Sequence, residues 1–304
     1  MMRWAPLLLL ALLAAAPWLG FSGSYEYTLM ARAMVLALAA LSLGFLVGGA
    51  GLVSLGHAAM LGVGAYAVAI LDAHGVTDAL AVLPAAIGAA ALFALLTGAI
   101  AIRTSGVHFI MITLAFGQMA FFTASSLAAY GGDDGYTLYA RTEVAGRRLL
   151  ENRLVFHYLC LALLAGAWLL LRAILASRFG RVLRAARENA QRAEAMGFAP
   201  YGYRLAAYAI AGAVTGLAGF LMANATEFVA PSAIAWQRSG ELLFMVILGG
   251  AGSLPGAILG AAAFVLAEEQ LAQLTEHWRL IFGPLLILAV LFLPHGLMGR
   301  RRHG

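Results

Sequence analysis

The chain has 304 residues, of which 63% are hydrophobic and only 11% charged, against roughly 25% charged in an ordinary soluble domain. With a mean hydropathy of +0.90, this composition excludes a soluble globular enzyme. All 19 basic residues are arginine, which excludes a Walker A phosphate loop, a Schiff-base lysine and a pyridoxal site.

The net charge of +5 does not point to nucleic acid, because the arginines are dispersed among hydrophobic blocks and fit membrane borders instead. The single Cys160 excludes an internal disulfide framework and a cysteine metal cluster. It sits in the apolar run YLCLALL and reads as an inert buried thiol.

A transmembrane helix needs about 20 mostly apolar residues. Stretches free of Asp, Glu, Lys and Arg run 4–25, 33–71, 79–102, 104–132, 154–171, 205–226, 242–267 and 280–299. The first resembles a signal peptide, with Arg3 ahead of LLLLALLAAA, but Pro17 directly after the AAA disfavours cleavage, so a retained helix is expected. The second stretch is long enough for two passes. Residues 178–204 hold Arg178, Arg181, Arg184, Arg187, Arg192 and Arg204, and the chain closes on Arg300, Arg301 and Arg302. Arginine marks the cytoplasmic side, which puts both segments and both termini inside and the 129–153 loop outside. The four arginines of that loop sit uneasily with the assignment. For the last stretch to return inside, 242–267 must enter and leave on one face. It is too short for two full helices and contains the helix-breaking GGAGSLPG at 249–256, so two half-length helices are expected; the alternative is a single complete span with the C-terminus outside.

A matching break, GGAGLVSLGHAAMLGVGAY, lies at 48–66, and the tetrapeptide GGAG occurs at both 48–51 and 249–252. Paired glycine-interrupted segments in corresponding halves point to a transport pathway; the alternative is that glycine only lets helices pack closely. The expectation is an all-α polytopic membrane protein with about eight spans plus a broken-helix hairpin and a weak internal repeat. It forms one transmembrane domain over 1–304, with a cytoplasmic segment at 178–204.

Six ordered blocks carry a resemblance. They are SLGHAAMLGVGAY (54–66), TSGVHFIMITLAFGQM (104–119) with GGDDG (131–135), GRVLRAARENAQRAEAMGF (180–198), YRLAAYAIAGAVTGLAGFL (203–221), MVILGGAGSLPGAILGAA (245–262) and LFLPHGLMG (291–299). Together they resemble the LivM-type permease of branched-chain amino acid ABC importers. The resemblance implies a bacterial inner-membrane importer with a second, LivH-type permease, two cytoplasmic ATPases that bind the ATP, and a periplasmic solute-binding protein. This subunit itself would need no cofactor or metal, only its partners and membrane lipid.

In 181–197, Val182, Ala186, Ala190, Ala193 and Met196 recur at helical spacing as one narrow stripe, with Gly197 as C-cap and Pro200 barring continuation. Such a helix suits a groove on a partner; its alternative is a solvated loop serving only the arginine bias. The resemblance matches this block to the family's ATPase-contacting loop, which makes Arg184, Arg187, Glu188, Arg192, Glu194 and Gly197 candidate coupling residues. Candidate pathway residues are Ser54, His57, Thr113 and Gln118, polar groups in apolar runs, together with Gly249 and Gly250 at the second break. For His57 the alternative is a hydrogen bond to a neighbouring helix, and Ser54 and Thr113 can bond to their own helix carbonyls. Gln118 demands several partners if buried.

GGDDG and the acidic stretch Glu268, Glu269 and Glu276 are candidate docking points for a binding protein. GFSG at 20–23 fits the pattern around a rhomboid-type nucleophile, but a short outer loop offers Ser22 no shelter. The clean runs hold no central carboxylate of the kind ion-coupled transporters use, which favours a pathway worked from outside the chain over an ion-coupled one; an ATP-independent channel, or a permease of the same family for urea, short amides or other small solutes, is the alternative.

Overall fold

The computed structural model describes residues 5–19, 23–275, 277–292 and 296–298. Ser22, Glu276 and the terminal arginines lie outside these residues. Apart from two short strands and a few tight turns, the described chain is built of twelve α-helices. Six helical stretches are long and apolar enough to cross a membrane. They are α2 (Ser24–Phe45) with its extension to Ala50, α4 (Ala79–Ala101), α5 (Val107–Ser126), α6 (Arg153–Ala176), α9 (Pro200–Thr226) and α11 (Leu254–Leu274). Shorter helices accompany them: α1 (Ala5–Ala15), α3 (His57–Ala73), α10 (Trp236–Gly249) and α12 (Trp278–Phe292).

Capping explains several boundaries. The Asp78 carboxylate accepts from Leu80 N (3.1 Å) to start α4, and the Asn152 side chain accepts from Leu154 N (3.0 Å) to start α6. Ser253 accepts from Gly256 N (3.2 Å) at the start of α11, where a side-chain oxygen satisfies one of the orphan donors of a first turn. Pro200 occupies the first turn of α9, where its missing N–H costs nothing.

The stretch 33–71 does make two helices, but the second is only 17 residues long. The gap is filled by a π-turn, Leu46–Ala50, and the irregular residues 51–56. Non-helical backbone survives at such depth only when protein satisfies it, and α2 is the most enclosed of the long helices. The 242–267 hairpin differs from the expectation of two half-length arms. Its first arm, α10, has 14 residues and its second, α11, has 21, or about 31 Å at 1.5 Å per residue. Glu268 does not end α11, because Arg32 of α2 meets both of its carboxylate oxygens at 2.8 Å. The two arms cross in close contact: a Cβ on Gly249 would overlap the Gly256 carbonyl, and one on Gly260 the Met245 carbonyl.

Contacts sort the loops into two ends. At one end, β1 (Tyr136–Thr137) pairs antiparallel with β2 (Phe228–Val229). There the Tyr136 hydroxyl donates to Asp72 at the end of α3 (3.0 Å), and Thr142 N and Oγ1 both donate to Asn224 Oδ1 of α9 (2.8 Å each). At the opposite end stand α7 (Arg178–Glu188), α8 (Ala190–Ala195) and the two GGAG breaks, joined by residues 296–298. Two of the four arginines of the 129–153 loop are paired with carboxylates. Arg141 pairs with Glu227 (3.0 Å), and Arg148 pairs with Glu143 (3.2 Å) and Glu151 (3.4 Å).

Candidate functional site

The entrance to α3 is held by polar groups from four helices. Thr113 of α5 accepts from Leu55 N (3.2 Å) and donates to Ile110 O (2.9 Å). Ser54 accepts from Gly56 N (3.2 Å) and lies 3.3 Å from the Tyr208 hydroxyl of α9. Ser239 of α10 accepts from Ala58 N (2.9 Å). Deeper in, the Ser42 hydroxyl is 2.6 Å from both His57 Nε2 and Thr215 Oγ1, and Thr215 is 3.0 Å from the same nitrogen. Both hydroxyls have carbonyls one turn back within reach, Ala39 O and Ala211 O, each at 2.8 Å. One hydroxyl proton lies between the two oxygens and the other goes to a carbonyl, which leaves His57 Nε2–H as the donor to the pair. Ser54, His57 and Thr113 are fully buried, and the structure uses them to fasten the broken segment 51–56 to α2, α5 and α9.

Gln118 stands apart from that cluster. It is half-buried on α5 and forms no hydrogen bond among the described residues, so the demand for several partners does not arise. Helix α5 buries Phe109, Thr113, Gly117 and Ala124 along one stripe and leaves Met111, Met119 and Phe122 exposed. Beyond the C-terminal half of α5 opens a cleft of about 700 Å³, lined by Phe121, Asp133, Pro231, Ser232, Gln237 and Glu241. The GGDDG turn presents exposed Asp133 and Asp134 there, and Glu241 pairs with Arg238 at 2.7 Å. Nearby, burial and the bond to Asp72 raise the Tyr136 phenol above its ordinary pKa, so it remains a donor at neutral pH. Among the described residues no group of His, Cys, Asp or Glu side chains is arranged to hold a metal ion.

The other end carries the second candidate surface. The expected single helix over 181–197 is two helices, because Asn189 leaves the helical region (φ −156°, ψ 104°) and caps α8 by accepting from Arg192 N (2.9 Å). Of the small-residue stripe, Ala186 and Ala193 are buried against the chain's own helices, while Met196 is 58% exposed; that part of the stripe is therefore not free for a partner. Gly197 ends α8 in the left-handed region (φ 84°), with its N–H bonded to Glu194 O (2.8 Å). Arg184, Glu188, Arg192 and Glu194 are exposed on this corner. A groove of about 660 Å³ runs beside it between Arg178, Phe179, Arg181, Val182, Phe198 and Tyr203.

Gly249 and Gly250 are buried. Gly249 lies in the crossing of α10 and α11, and Gly250 lies against Gly296. Polar residues in apolar runs were the signal that singled out His57. Ser42, Thr215 and Asn224 carry the same signal, but single hydroxyls and amides inside long helices look like back-bonded packing residues.

Comparison with known proteins identifies the family. Residues 27–291 match the family described as branched-chain amino acid transport system, permease component. The high-affinity branched-chain amino acid transport permease LivM of Salmonella typhimurium is 27% identical over 317 residues, covering 97% of this chain and 74% of the relative. LivM of Escherichia coli matches to the same extent. LivH of E. coli is 30% identical over 126 residues, 41% of each chain. No solved structure matches the chain. With the match running from α2 to α12, the chain belongs to the permease components of branched-chain amino acid transport systems.

Proposed function

We propose that this chain is the LivM-type half of the membrane pathway in an ABC importer for branched-chain or related small amino acids. A LivH-type permease completes the pathway, two cytoplasmic ATPases drive it, and a periplasmic binding protein delivers the solute. The observation that carries this reading is the arginine-bearing corner of α7 and α8, which stands at one end of the bundle in a chain of this permease family. Arginine bias supports a cytoplasmic position for that end and for both termini. The cleft bounded by Phe121, Asp133 and Glu241 then opens to the periplasm.

The solute passes along α5, with Gln118 as the pathway's polar contact and the partner permease covering the exposed apolar face. Ser54, His57 and Thr113 keep the broken segment in place instead of touching cargo, and Gly249 and Gly250 serve helix crossing. The exposed groove beside Phe179 and Phe198 receives the ATPase, with Arg178 and Arg181 fixing register.

The test is co-expression with the partner subunits, purification of the complex, and uptake of labelled leucine, isoleucine and valine into proteoliposomes. ATP-dependent uptake that requires the binding protein is expected. Uptake without ATP, or purification without ATPases under conditions that retain the second permease, refutes the reading.

A further inference from the structure

Helix α2 ends unusually. Its last turn widens into the π-turn Leu46–Ala50, and Gly51 follows in the left-handed region (φ 70°). Carbonyls in a last helical turn lack an intrahelical partner, and here Gly48 O is met from outside the helix. The Arg187 guanidinium of α7 donates to it through Nη1 at 2.5 Å. The arginine stem lies on the backbone of Gly51, where a Cβ would stand 2.8 Å from Arg187 Cγ. Arg184, one turn earlier, bonds instead to Leu175 O at the end of α6 (2.9 Å).

The same glycine run touches the second break. A Cβ on Gly48 would stand 2.8 Å from Gly252 Cα, so the two GGAG tetrapeptides meet backbone to backbone. The second break is fastened in turn by the C-terminal segment: Leu297 N donates to Leu248 O (2.8 Å) and Met298 N to Gly249 O (3.0 Å). From this junction α10 runs to the other end of the bundle, where Gln237 and Glu241 on its first turns line the outer cleft. Its 14 residues make a rod of about 21 Å. Arg204 of α9 also holds α7, donating to Ala186 O at 2.8 Å.

We propose that Arg187 is a positioning residue that pins α7 to the junction of the two glycine breaks, so that movement of α7 reaches the outer cleft through α10. This departs from the expectation that Arg187 contacts the ATPase, and it rests on the importer reading. Arginine suits the task because its charge strengthens the bond to a carbonyl that has no other partner among the described residues. Glycine at 48 and 51 suits it because any side chain would hold the junction or the arginine stem away.

The test uses the full importer in proteoliposomes, comparing wild type with Arg187→Gln, Arg187→Lys and Gly48→Ala. Four readouts are taken: co-purified ATPase, ATP hydrolysis, solute imported per ATP, and amide hydrogen exchange over 46–52 and 249–253. Arg187→Gln is expected to retain the ATPases and their hydrolysis while import per ATP falls about tenfold, the scale of losing a hydrogen bond to a charged group. Arg187→Lys keeps a charged donor and is expected to fall between. Gly48→Ala leaves Arg187 intact but parts the two breaks, so it is expected to lose import per ATP as Arg187→Gln does. Both Arg187→Gln and Gly48→Ala should speed exchange in both glycine segments.

Unchanged import per ATP in an active complex overturns the proposal, as does loss of the ATPases from the Arg187→Gln complex. If Arg187→Gln does not accumulate, Gly48→Ala and Arg187→Lys decide by the same ratio. A wild-type complex without ATP-dependent uptake refutes the importer reading instead, and unchanged exchange over the two segments then overturns the pin as well.

Discussion

Removing the two hydroxyls that surround His57 tests whether one imidazole N–H holds three helices. Ser42 on α2 and Thr215 on α9 both lie within 3.0 Å of His57 Nε2, and all three side chains are fully buried. Either oxygen alone satisfies the N–H, so the acceptors are redundant. Ser42→Ala or Thr215→Val therefore removes one shared bond and is expected to cost about 0.5–1.5 kcal/mol. The double variant leaves a buried donor with no partner. Its cost is expected to exceed the sum of the singles by about 1–3 kcal/mol, the penalty for an orphaned polar group. Thr215→Val preserves shape and Ser42→Ala opens little space, so the excess reports the orphaned nitrogen and not a cavity. Equilibrium unfolding of the purified chain in mixed micelles measures each variant, and the cycle isolates the coupling. Strictly additive costs refute the argument, because they require the imidazole to have another partner at the junction.

Two further outcomes concern the helices around this cluster. Gly249→Ala forces α10 off α11 at their crossing and is expected to cost about 1–3 kcal/mol, whereas Gly166→Ala on α6 meets no atom within 4 Å and gains about 0.5–1 kcal/mol of helix stability; equal melting temperatures for the two variants contradict the packing. The Arg32–Glu268 pair, whose side chains are 41% and 16% exposed, is expected to show a coupling of about 0.5–1 kcal/mol in a double-mutant cycle. That coupling should shrink in high salt; a value of zero at low salt rules out a role in extending α11.

Much of the architecture was legible because membrane helices write their presence as length and apolarity. The charge-free runs locate the helices, and the glycine clusters at 48–51 and 249–252 locate both breaks. The lengths of the arms were less legible. Helix α11 continues through Glu268 and Glu269 because Arg32 and Tyr25, more than 200 residues earlier, hydrogen-bond to them, and a local reading of charge stops too soon.

The corner at 178–199 shows a similar limit. Spacing alone suggested one helix, but Asn189 prefers to cap the following turn. The polar candidates divided for the same reason. Nothing near His57 in the chain reveals Ser42 or Thr215, whereas Gln118 was expected to need partners that its half-exposed position does not require.

The closing segment 296–298 has a bearing on how such a chain is made. It supplies the donors for Leu248 and Gly249 carbonyls, yet it leaves the ribosome well after α10 and α11. Until then those carbonyls face the bilayer end without their final partners, and the two glycine breaks lack one of their fastenings. Assembly at this end is thus completed only by residues made after both arms of the hairpin, so a translation product stopped short of them would carry an unfinished junction.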